Sequence, residues 1–183
     1  MGASGKGKGV AYVVENSTRL VSFRGGRLDP NRMFSNEGAE RNLTALNPEW
    51  RTQQVLNGVT YLGYHRHELI NRLVPPTGGL IIALHNNQRG YSVTTEVPIS
   101  DAVALNDPDH PNDFGLVTDP ADFAVLKNGK YNVVLQAQPR GAEDGSFSRL
   151  AVRLGVRYVN LEAAIGNLDK QTAMLNWVEE ALA

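Results

Sequence analysis

The sequence predicts an α/β fold in which helices cover both faces of a central sheet. Short apolar runs alternate with helical patterns through roughly the last hundred residues, which is the order typical of α/β proteins. The chain has 183 residues, and neither an internal repeat nor a low-complexity linker divides it. We therefore expect residues 1–183 to form a single domain with one hydrophobic core.

The composition excludes several classes of function. Lys and Arg number 18, Asp and Glu number 19, and the net charge of −1 does not indicate a nucleic-acid partner. The chain has no cysteine, so disulfides, thiol catalysis and cysteine-ligated zinc are excluded, and His, Asp or Glu would have to hold any metal. No apolar run approaches the roughly 20 residues of a membrane helix, and the first residues lack the apolar core of a signal peptide. Compartment and oligomeric state stay open.

The N-terminal segment predicts a hairpin after a flexible start. Residues 1–9 are rich in Gly, Ser and Lys and are expected to be flexible. Val10–Val14 and Arg19–Phe23 are strand-like, and the turn formers between them predict a β-hairpin at a sheet edge.

The loop from Gly25 to Ser35 carries an unusual density of polar donors. Pro30 fixes its own φ and so holds Asn31 and Arg32 in a defined direction. Such a loop can aim the Arg32 guanidinium at an anionic group of a ligand. The alternative is that Arg32 pairs with Asp29 and only ties down the loop.

A long helix is predicted between Asn47 and Pro75. Asn47-Pro48-Glu49 supplies a cap residue, a proline at the first position and an acid in the first turn, and apolar residues then recur at helical spacing. His65 and Glu68 lie one turn apart on this helix and could share a metal. A solvated helix face explains the same residues equally well.

The apolar run Leu80–Leu84 predicts a short strand buried on both faces. His85, Asn86 and Asn87 follow where that strand is expected to end, and ligands of open α/β sheets bind at the carboxyl ends of strands. His85 is therefore a candidate site residue, and the alternative is a histidine that only caps the strand. Asn86 and Asn87 would hydrogen-bond a substrate backbone, or they satisfy the loop's own amides.

The remaining elements follow from the same patterns. We expect, in order, a long loop over residues 86–113, a short helix from Asp119 to near Gly129, a strand over residues 131–136, a short helix to Gly155, a strand over residues 156–162 and an amphipathic helix from Asp169 to Leu182. Three strands thus end in His85, Gln136 and Glu162. If the strands are parallel neighbours, these side chains approach one crevice together with Asn31 and Arg32.

These residues combine into the inventory of a metal-assisted hydrolase. His85 is a metal ligand, Glu162 is a carboxylate that could take a proton from water, and Arg32 is a planar cation suited to an anionic substrate group. A catalytic zinc normally keeps three protein ligands, however, so one histidine does not make a zinc site.

Three motifs, in their order along the chain, resemble the landmarks of the zinc carboxypeptidases and the related bacterial amidase-like proteins. They are Asp-Pro-Asn-Arg-Met-Phe at residues 29–34, Ala-Leu-His-Asn-Asn at residues 83–87 and Tyr-Val-Asn-Leu-Glu-Ala at residues 158–163. The resemblance extends from about Arg19 to the C-terminus, and it implies a mixed, mainly parallel sheet.

The resemblance also implies a role for each candidate residue. Asn31 and Arg32 would bind the terminal carboxylate of the substrate. His85 would ligate zinc, and Glu162 would activate the zinc-bound water.

The sequence departs from this family before Asn31. In the family, a His-x-x-Glu motif upstream of the Asn-Arg pair supplies the first two zinc ligands, whereas the His-x-x-Glu here runs from His65 to Glu68, downstream and on a predicted helix. The chain either begins part way into the family's domain, is a degenerate member without metal, or rebuilds the site from His65, Glu68 and His85. We favour the first explanation, because the residues for substrate and base look intact.

The expected function is therefore a zinc-dependent hydrolase of the carboxypeptidase or amidase type, which cleaves an amide bond in a peptide or a cell-wall peptide. The alternative is a metal-free module that binds a peptide or a carboxylate through Asn31 and Arg32. The resemblance further implies an exported or periplasmic bacterial protein, although this sequence carries no signal peptide.

Overall fold

The computed structural model describes residues 9–13, 18–88 and 90–182, which form an α/β structure. Its strands are β1 (Val21–Phe23), β2 (Gly26–Leu28), β3 (Leu80–Asn87), β4 (Ala102–Ala104), β5 (Phe114–Val117), β6 (Asn132–Leu135) and β7 (Arg157–Ala164). Its helices are α1 (Asn36–Leu46), α2 (Thr52–Leu73), α3 (Val93–Glu96), α4 (Pro120–Leu126), α5 (Phe147–Leu154) and α6 (Leu168–Leu182), with short 3₁₀ helices at Pro30–Arg32 and Val97–Ile99. The predicted α/β class is confirmed.

The central sheet has five strands in the order β3-β7-β5-β6-β4 and is mixed. β3 and β7 run parallel, as do β5 and β6, whereas β5 is antiparallel to β7 and β4 is antiparallel to β6. Parallel and antiparallel pairs are equal in number, so the sheet is not mainly parallel. The difference comes from β5, which has only four residues and so shows no recognisable pattern in the sequence. β5 lies between β6 and β7 and runs parallel to β6 but antiparallel to β7.

β3 is an edge strand, which corrects the expectation of a strand buried on both faces. It lies at one end of the strand order, its first residues are half-buried, and Leu84 is 45% exposed. The strand also continues through Asn87, because β7 pairs with it along its whole length. His85 and Glu162 therefore lie within paired strands and not after the strand ends.

Helices cover both faces of the sheet, as predicted. α4 and α6 pack on the face that carries Val159 and Leu161, where Met174 completes the main hydrophobic core. α3 and α5 pack on the opposite face, where the Phe147 ring contacts Tyr158. The candidate site lies on this second face, because Glu162 shares it with Tyr158.

The N-terminal hairpin forms later in the chain than predicted. Residues 10–13 belong to no strand, while β1 pairs antiparallel with β2 through a turn at Arg24 and Gly25, both of which have positive φ. Glycine suits this turn because it has no Cβ. Residues 1–8 of the expected flexible start, and residues 14–17 of the expected strand and turn, lie outside the described residues.

One unpredicted helix, α1, precedes the expected long helix, which is confirmed as α2 with a later start. α1 follows the N-cap Ser35 and ends at Asn47, whose side-chain amide donates to the carbonyl oxygen of Leu43. Asn47 therefore closes α1 and does not open the next helix. α2 starts only at Thr52 and ends before Pro75, as predicted. None of the helices in the described ranges combines the length and the hydropathy that a membrane span requires.

The second half of the chain follows the prediction except in the long loop. Residues 86–113 hold the end of β3, α3, a 3₁₀ helix and β4, elements too short to show a period in the sequence. The predicted short helices, strands and C-terminal helix are confirmed as α4, β6, α5, β7 and α6. On α6, Met174 and Val178 are fully buried, whereas Leu175 and Leu182 are only partly buried.

Candidate functional site

Two neighbouring parallel strands place His85 beside Glu162. The register pairs His85 of β3 with Glu162 of β7, and paired residues carry their side chains on the same face of a sheet. His85 Nδ1 lies 3.4 Å from Glu162 Oε1. The side chain of His85 is 39% exposed and that of Glu162 is 7% exposed. The pair thus presents an accessible imidazole backed by a buried carboxylate.

Asn160 holds the Glu162 carboxylate from within the same strand. Side chains two residues apart on a strand share a face, and Asn160 Nδ2 donates to Glu162 Oε1 over 3.1 Å. The Oδ1 atom of Asn160 is buried and has no hydrogen-bond partner in the described part of the chain. Buried polar atoms of this kind are rare in proteins. Asn160 Oδ1 therefore marks a place where a bound molecule could donate a hydrogen bond.

A second polar group, built from Tyr91, Glu96 and Gln136, lies on the same face. The Tyr91 ring packs on Phe114 of β5 with 5.8 Å between centroids, and the Glu96 side chain raises the pKa of the Tyr91 hydroxyl. Glu96 is buried, and its Oε2 accepts a hydrogen bond of 2.6 Å from Gln136 Nε2. Within the described residues, Gln136 is linked to this group through Glu96 and is remote from Glu162, because β6 is not a neighbour of β7 and runs antiparallel to it. The expected meeting of three parallel strand ends is wrong for Gln136.

The pKa of Tyr91 shows which charges face this phenol. Burial raises the pKa most, and the carboxylates of Glu96 and Glu162 raise it further. The positive charge of Arg32 acts in the opposite direction. Arg32 and Glu162 therefore both lie within electrostatic reach of Tyr91, which brings the predicted cation and the predicted base to one part of the molecule.

Asp29 fixes the turn that carries Asn31 and Arg32. It caps the 3₁₀ helix Pro30–Arg32, and its Oδ1 accepts from the backbone N–H of Asn31 over 3.0 Å. Its other carboxylate oxygen pairs with Arg19 Nε at 2.7 Å. The Asp29 carboxylate is thus occupied by Arg19, which argues against the alternative in which Arg32 only pairs with Asp29.

The Arg32 guanidinium is partly exposed and only loosely held. Its Nη1 lies 3.6 Å from Asp144 Oδ2 and donates to the carbonyl oxygen of Asn31 over 3.2 Å. Exposed ion pairs of this kind contribute little stability. An anionic ligand could therefore replace Asp144 as the partner of Arg32.

Gly145 allows the 143–146 loop to pack directly on this turn. The backbone N–H of Phe34 donates to the Gly145 carbonyl over 2.9 Å. Gly145 has a φ of 77°, and a Cβ atom there would collide with the carbonyl oxygen of Arg32. Only glycine fits this contact, which holds the backbone of Arg32 in place.

Neither asparagine after His85 is placed to bind a substrate beside it. Asn87 is buried, donates to the carbonyl oxygen of Asn112 over 2.6 Å and accepts from the Asn112 side chain over 2.9 Å. These bonds match the alternative in which the side chain satisfies its own loop. Asn86 is exposed and, by strand alternation, lies on the other face of the sheet from His85.

His65 and Glu68 lie on an exposed face of α2. Glu68 pairs with Arg72 one turn later at 2.6 Å, and the His65 ring contacts Tyr61 at 4.3 Å between centroids. The structure does not bring these two residues to His85. It therefore gives no support to a metal site built from His65, Glu68 and His85.

The side chains present do not by themselves make a zinc centre. In the ranges that the structure describes, no group of three His, Cys, Asp or Glu side chains could hold a metal ion. A catalytic zinc normally keeps three protein ligands, and the site offers His85 beside a single carboxylate, Glu162. His85 could supply one ligand, but the donor set does not fit the complete ion.

His85 is the accessible residue of the site, whereas Glu162 and Asn160 are buried. Two grooves of about 520 and 490 Å³ lie elsewhere, over α1 and beside α2, and neither is lined by His85 or Glu162. The chemistry of the site depends on its side chains. The buried Glu162 carboxylate can accept a proton, and the Arg32 guanidinium can bind an anion.

Sequence reasoning missed Tyr91, Glu96 and Asn160 as site residues. Tyr91 and Glu96 lie in and beside a four-residue helix, which is too short to show periodicity. Asn160 did carry a signal, because it lies two residues before Glu162 and so must share its face of β7.

Comparisons with known proteins give no relative for this chain. No family model matches it, and neither the curated proteins nor the solved structures contain a match. Function must therefore be inferred from the site and from the motifs.

Proposed function

We propose that this chain acts as an amide hydrolase of the zinc-carboxypeptidase type. Its substrate would be a peptide or a cell-wall peptide with a free carboxylate. One observation carries the proposal: His85 and Glu162 are register partners, and His85 Nδ1 lies 3.4 Å from Glu162 Oε1. Arg32, the proposed anion-binding group, and Glu162, the proposed proton acceptor, both influence the pKa of Tyr91, which supports the proposal. The order of the three motifs supports the same class of reaction.

Arg32 would bind the carboxylate of the substrate. A guanidinium makes two parallel hydrogen bonds to a carboxylate, which fixes orientation as well as position. The loose Asp144 pair would be exchanged for the ligand, and Asn31 would add its side-chain amide from the same turn. Cleavage would then take place near the carboxyl end of the substrate, because Arg32 sets the distance from that end to Glu162.

Glu162 would take a proton from the attacking water and pass it to the leaving amine. Its carboxylate is buried, and the hydrogen bond from Asn160 fixes one oxygen in place. The unpartnered Asn160 Oδ1 would accept a hydrogen bond from the water or from the substrate amide. Glu162 and Asn160 are held in fixed relative positions because both belong to β7 and are hydrogen-bonded to each other.

Zinc is the cofactor that the motif resemblance implies. Of the described residues, His85 is the one placed to ligate it beside the proposed base. The first experiment therefore measures zinc in the purified chain by elemental mass spectrometry after incubation with zinc and dialysis. Because the site offers fewer than the three ligands that a catalytic zinc normally keeps, zinc that is retained by the wild type and lost in His85→Ala would support the hydrolase proposal.

His110→Ala is the matched control for this measurement. His110 is an exposed histidine that pairs with Asp107 at 2.8 Å, outside the site. We expect His110→Ala to retain as much zinc as the wild type. Absence of zinc from the wild type, or equal loss in the two variants, would contradict the hydrolase proposal.

A metal-free module that binds peptides or carboxylates is the second candidate. The observation that favours it is that Arg32 is partly exposed and loosely paired, so the carboxylate-binding part of the site needs no metal. Binding without hydrolysis is the outcome that distinguishes this candidate from the first.

Calorimetric titration with hippuryl-phenylalanine and with its C-terminal amide tests the role of Arg32. We expect the acid to bind and the amide not to bind, and we expect Arg32→Lys to weaken binding of the acid by roughly tenfold or more, because a lysine cannot make the bidentate contact. Arg41→Lys, on an exposed position of α1, should leave the affinity unchanged. Mass spectrometry of the same mixtures detects cleaved products and so separates the hydrolase from the binding module.

A further inference from the structure

We propose that the outer edge of β3 pairs with the same edge of a second copy of this chain, so that the central sheet continues across a dimer. The proposal is independent of the hydrolase and binding functions. β3 is the outermost strand of the sheet and is eight residues long. Within the described residues it pairs with β7 on its inner side and with no strand on its outer side.

The outer edge of β3 presents a row of backbone groups. Along a strand, successive residues direct their N–H and C=O groups to opposite sides. The Asn87 carbonyl accepts from the N–H of Ile165, which follows β7, so the odd-numbered residues of β3 face β7. The even-numbered residues of β3 direct their backbone groups outward; these residues are Leu80, Ile82, Leu84 and Asn86. No described residue is hydrogen-bonded to these outward backbone groups.

β3 lacks the features that protect most edge strands from pairing. Natural edges are short, charged, or interrupted by proline or a bulge. Residues 80–87 contain no Lys, Arg, Asp, Glu or Pro, and Leu84 is 45% exposed. Ile165, beside the end of β3, is 63% exposed. The opposite edge of the sheet, β4, is only three residues long and so offers little to pair with.

A second copy fits this edge because the strand is complementary to itself. Antiparallel pairing centred on Ala83 places Leu80 of one copy opposite Asn86 of the other. The same register places Ile82 opposite Leu84, so every outward residue meets an outward residue and about eight hydrogen bonds form. No carboxylate or ammonium group lies on either strand to oppose the pairing. The small side chain of Ala83 would lie on the two-fold axis, where the two strands approach most closely.

The same register brings the second copy to the candidate site. His85 would lie opposite Ile81 of the partner subunit, and both side chains would share the face that carries Glu162. The open side of the His85 and Glu162 pair would then be closed by an apolar residue. Dimerisation would thus reduce the access of water to His85 from the sheet edge.

Sedimentation equilibrium at micromolar concentrations tests the dimer. We expect the wild type to be dimeric and Leu84→Lys to raise the dissociation constant at least tenfold, because two ammonium groups then lie near the axis. Leu154→Lys is the matched control, since Leu154 is 47% exposed and lies on α5, which is not part of the sheet edge. A monomeric wild type, or a dimer that both lysine variants weaken equally, would overturn the proposal.

The lack of native cysteine permits a test of the register. Residues in a non-hydrogen-bonded antiparallel pair have Cα atoms about 4.5 Å apart, which is within the range of a disulfide. Ala83→Cys should therefore form covalent dimers under mild oxidation, whereas Ala45→Cys, on an exposed position of α1, should remain mostly monomeric. Circular dichroism confirms that each variant is folded. Equal crosslinking at the two positions, or a wild type that is monomeric and recruits only an extended peptide to this edge, would contradict the two-fold pairing.

Discussion

At the scale of single residues, the Tyr91 phenol is surrounded by groups that oppose its ionisation. Burial and the carboxylates of Glu96 and Glu162 raise its pKa, and burial likewise raises the pKa of Tyr158. The folded protein therefore keeps these protons at a pH where the unfolded chain, whose tyrosines titrate near about 10, has lost them. The contribution of these protonated phenols to the free energy of unfolding is complete below about pH 10 and declines as the pH rises above it.

This linkage predicts a specific loss of stability in alkali. Between about pH 10 and 12, each of the two tyrosines should lower the free energy of unfolding by roughly 1.4 kcal/mol per pH unit. Urea unfolding at several pH values measures how steeply the free energy of unfolding falls with pH. Tyr91→Phe and Tyr158→Phe should each reduce that slope by the equivalent of about one proton. A Tyr91→Phe variant with the wild-type slope would show that the phenol is not held protonated by the fold.

At the scale of elements, the contact between the 143–146 loop and the Arg32 turn depends on one glycine. Gly145→Ala would strain a positive φ and also drive a Cβ atom into the Arg32 carbonyl oxygen. We expect a loss of roughly 2 kcal/mol or more in the free energy of unfolding, together with weaker binding of hippuryl-phenylalanine. Urea unfolding and calorimetry measure the two effects.

Gly141→Ala is the control that separates strain from collision. Gly141 has a φ of 80°, close to that of Gly145, but only a side-chain atom of Arg149, at 3.9 Å, lies near its would-be Cβ. Its replacement should cost about 1 kcal/mol for the backbone conformation alone and should leave ligand affinity unchanged. Equal effects of the two substitutions would show that the close approach to Arg32 is unimportant.

The individual strands β6 and β7 could be predicted from the sequence, whereas their arrangement could not. An apolar run bounded by turn formers is a local property, and it is sufficient to show that a strand exists. The neighbour of each strand is decided by packing across the whole chain, and β5, which sets those neighbours, has only four residues. The edge position of β3 likewise depends on what other strands do, so its apolar run was misleading about burial.

The residues of the candidate site show the same difference between local patterns, which the sequence reveals, and long-range packing, which it does not. His85, Glu162 and Arg32 could be proposed because each lies at a recognisable strand or beside a proline that fixes the backbone. Tyr91 and Glu96 could not, because long-range contacts bring them to the sheet face: the Tyr91 ring packs on Phe114, and Gln136 donates a hydrogen bond to Glu96. Residues that a long-range contact brings to a site leave no periodic trace in the sequence.

At the scale of the whole molecule, one ion pair joins the sheet to a helix and to the segment before β3. Arg157 of β7 donates to Asp122 of α4 through Nη2 at 2.7 Å and Nε at 3.0 Å, and its Nη1 donates to the carbonyl oxygen of Gly78 over 3.3 Å. The hydrogen bonds to Asp122 raise the pKa of Arg157. The side chain of Asp122 is only 6% exposed, so its charge relies on Arg157 for compensation.

Arg157→Gln should therefore destabilise the whole fold by about 3 kcal/mol, because it leaves the Asp122 carboxylate buried without a countercharge. The matched control is Arg72→Gln, which breaks the pair between Arg72 and Glu68. Both of those side chains are more than 60% exposed, and such pairs contribute about 1 kcal/mol or less. Urea unfolding measures both variants, with an unchanged m-value expected if the transition stays two-state. Equal losses would mean that Asp122 is compensated by water or by its own helix, while a larger loss in Arg157→Gln would show that Arg157 compensates the buried Asp122 charge and so ties β7 to α4.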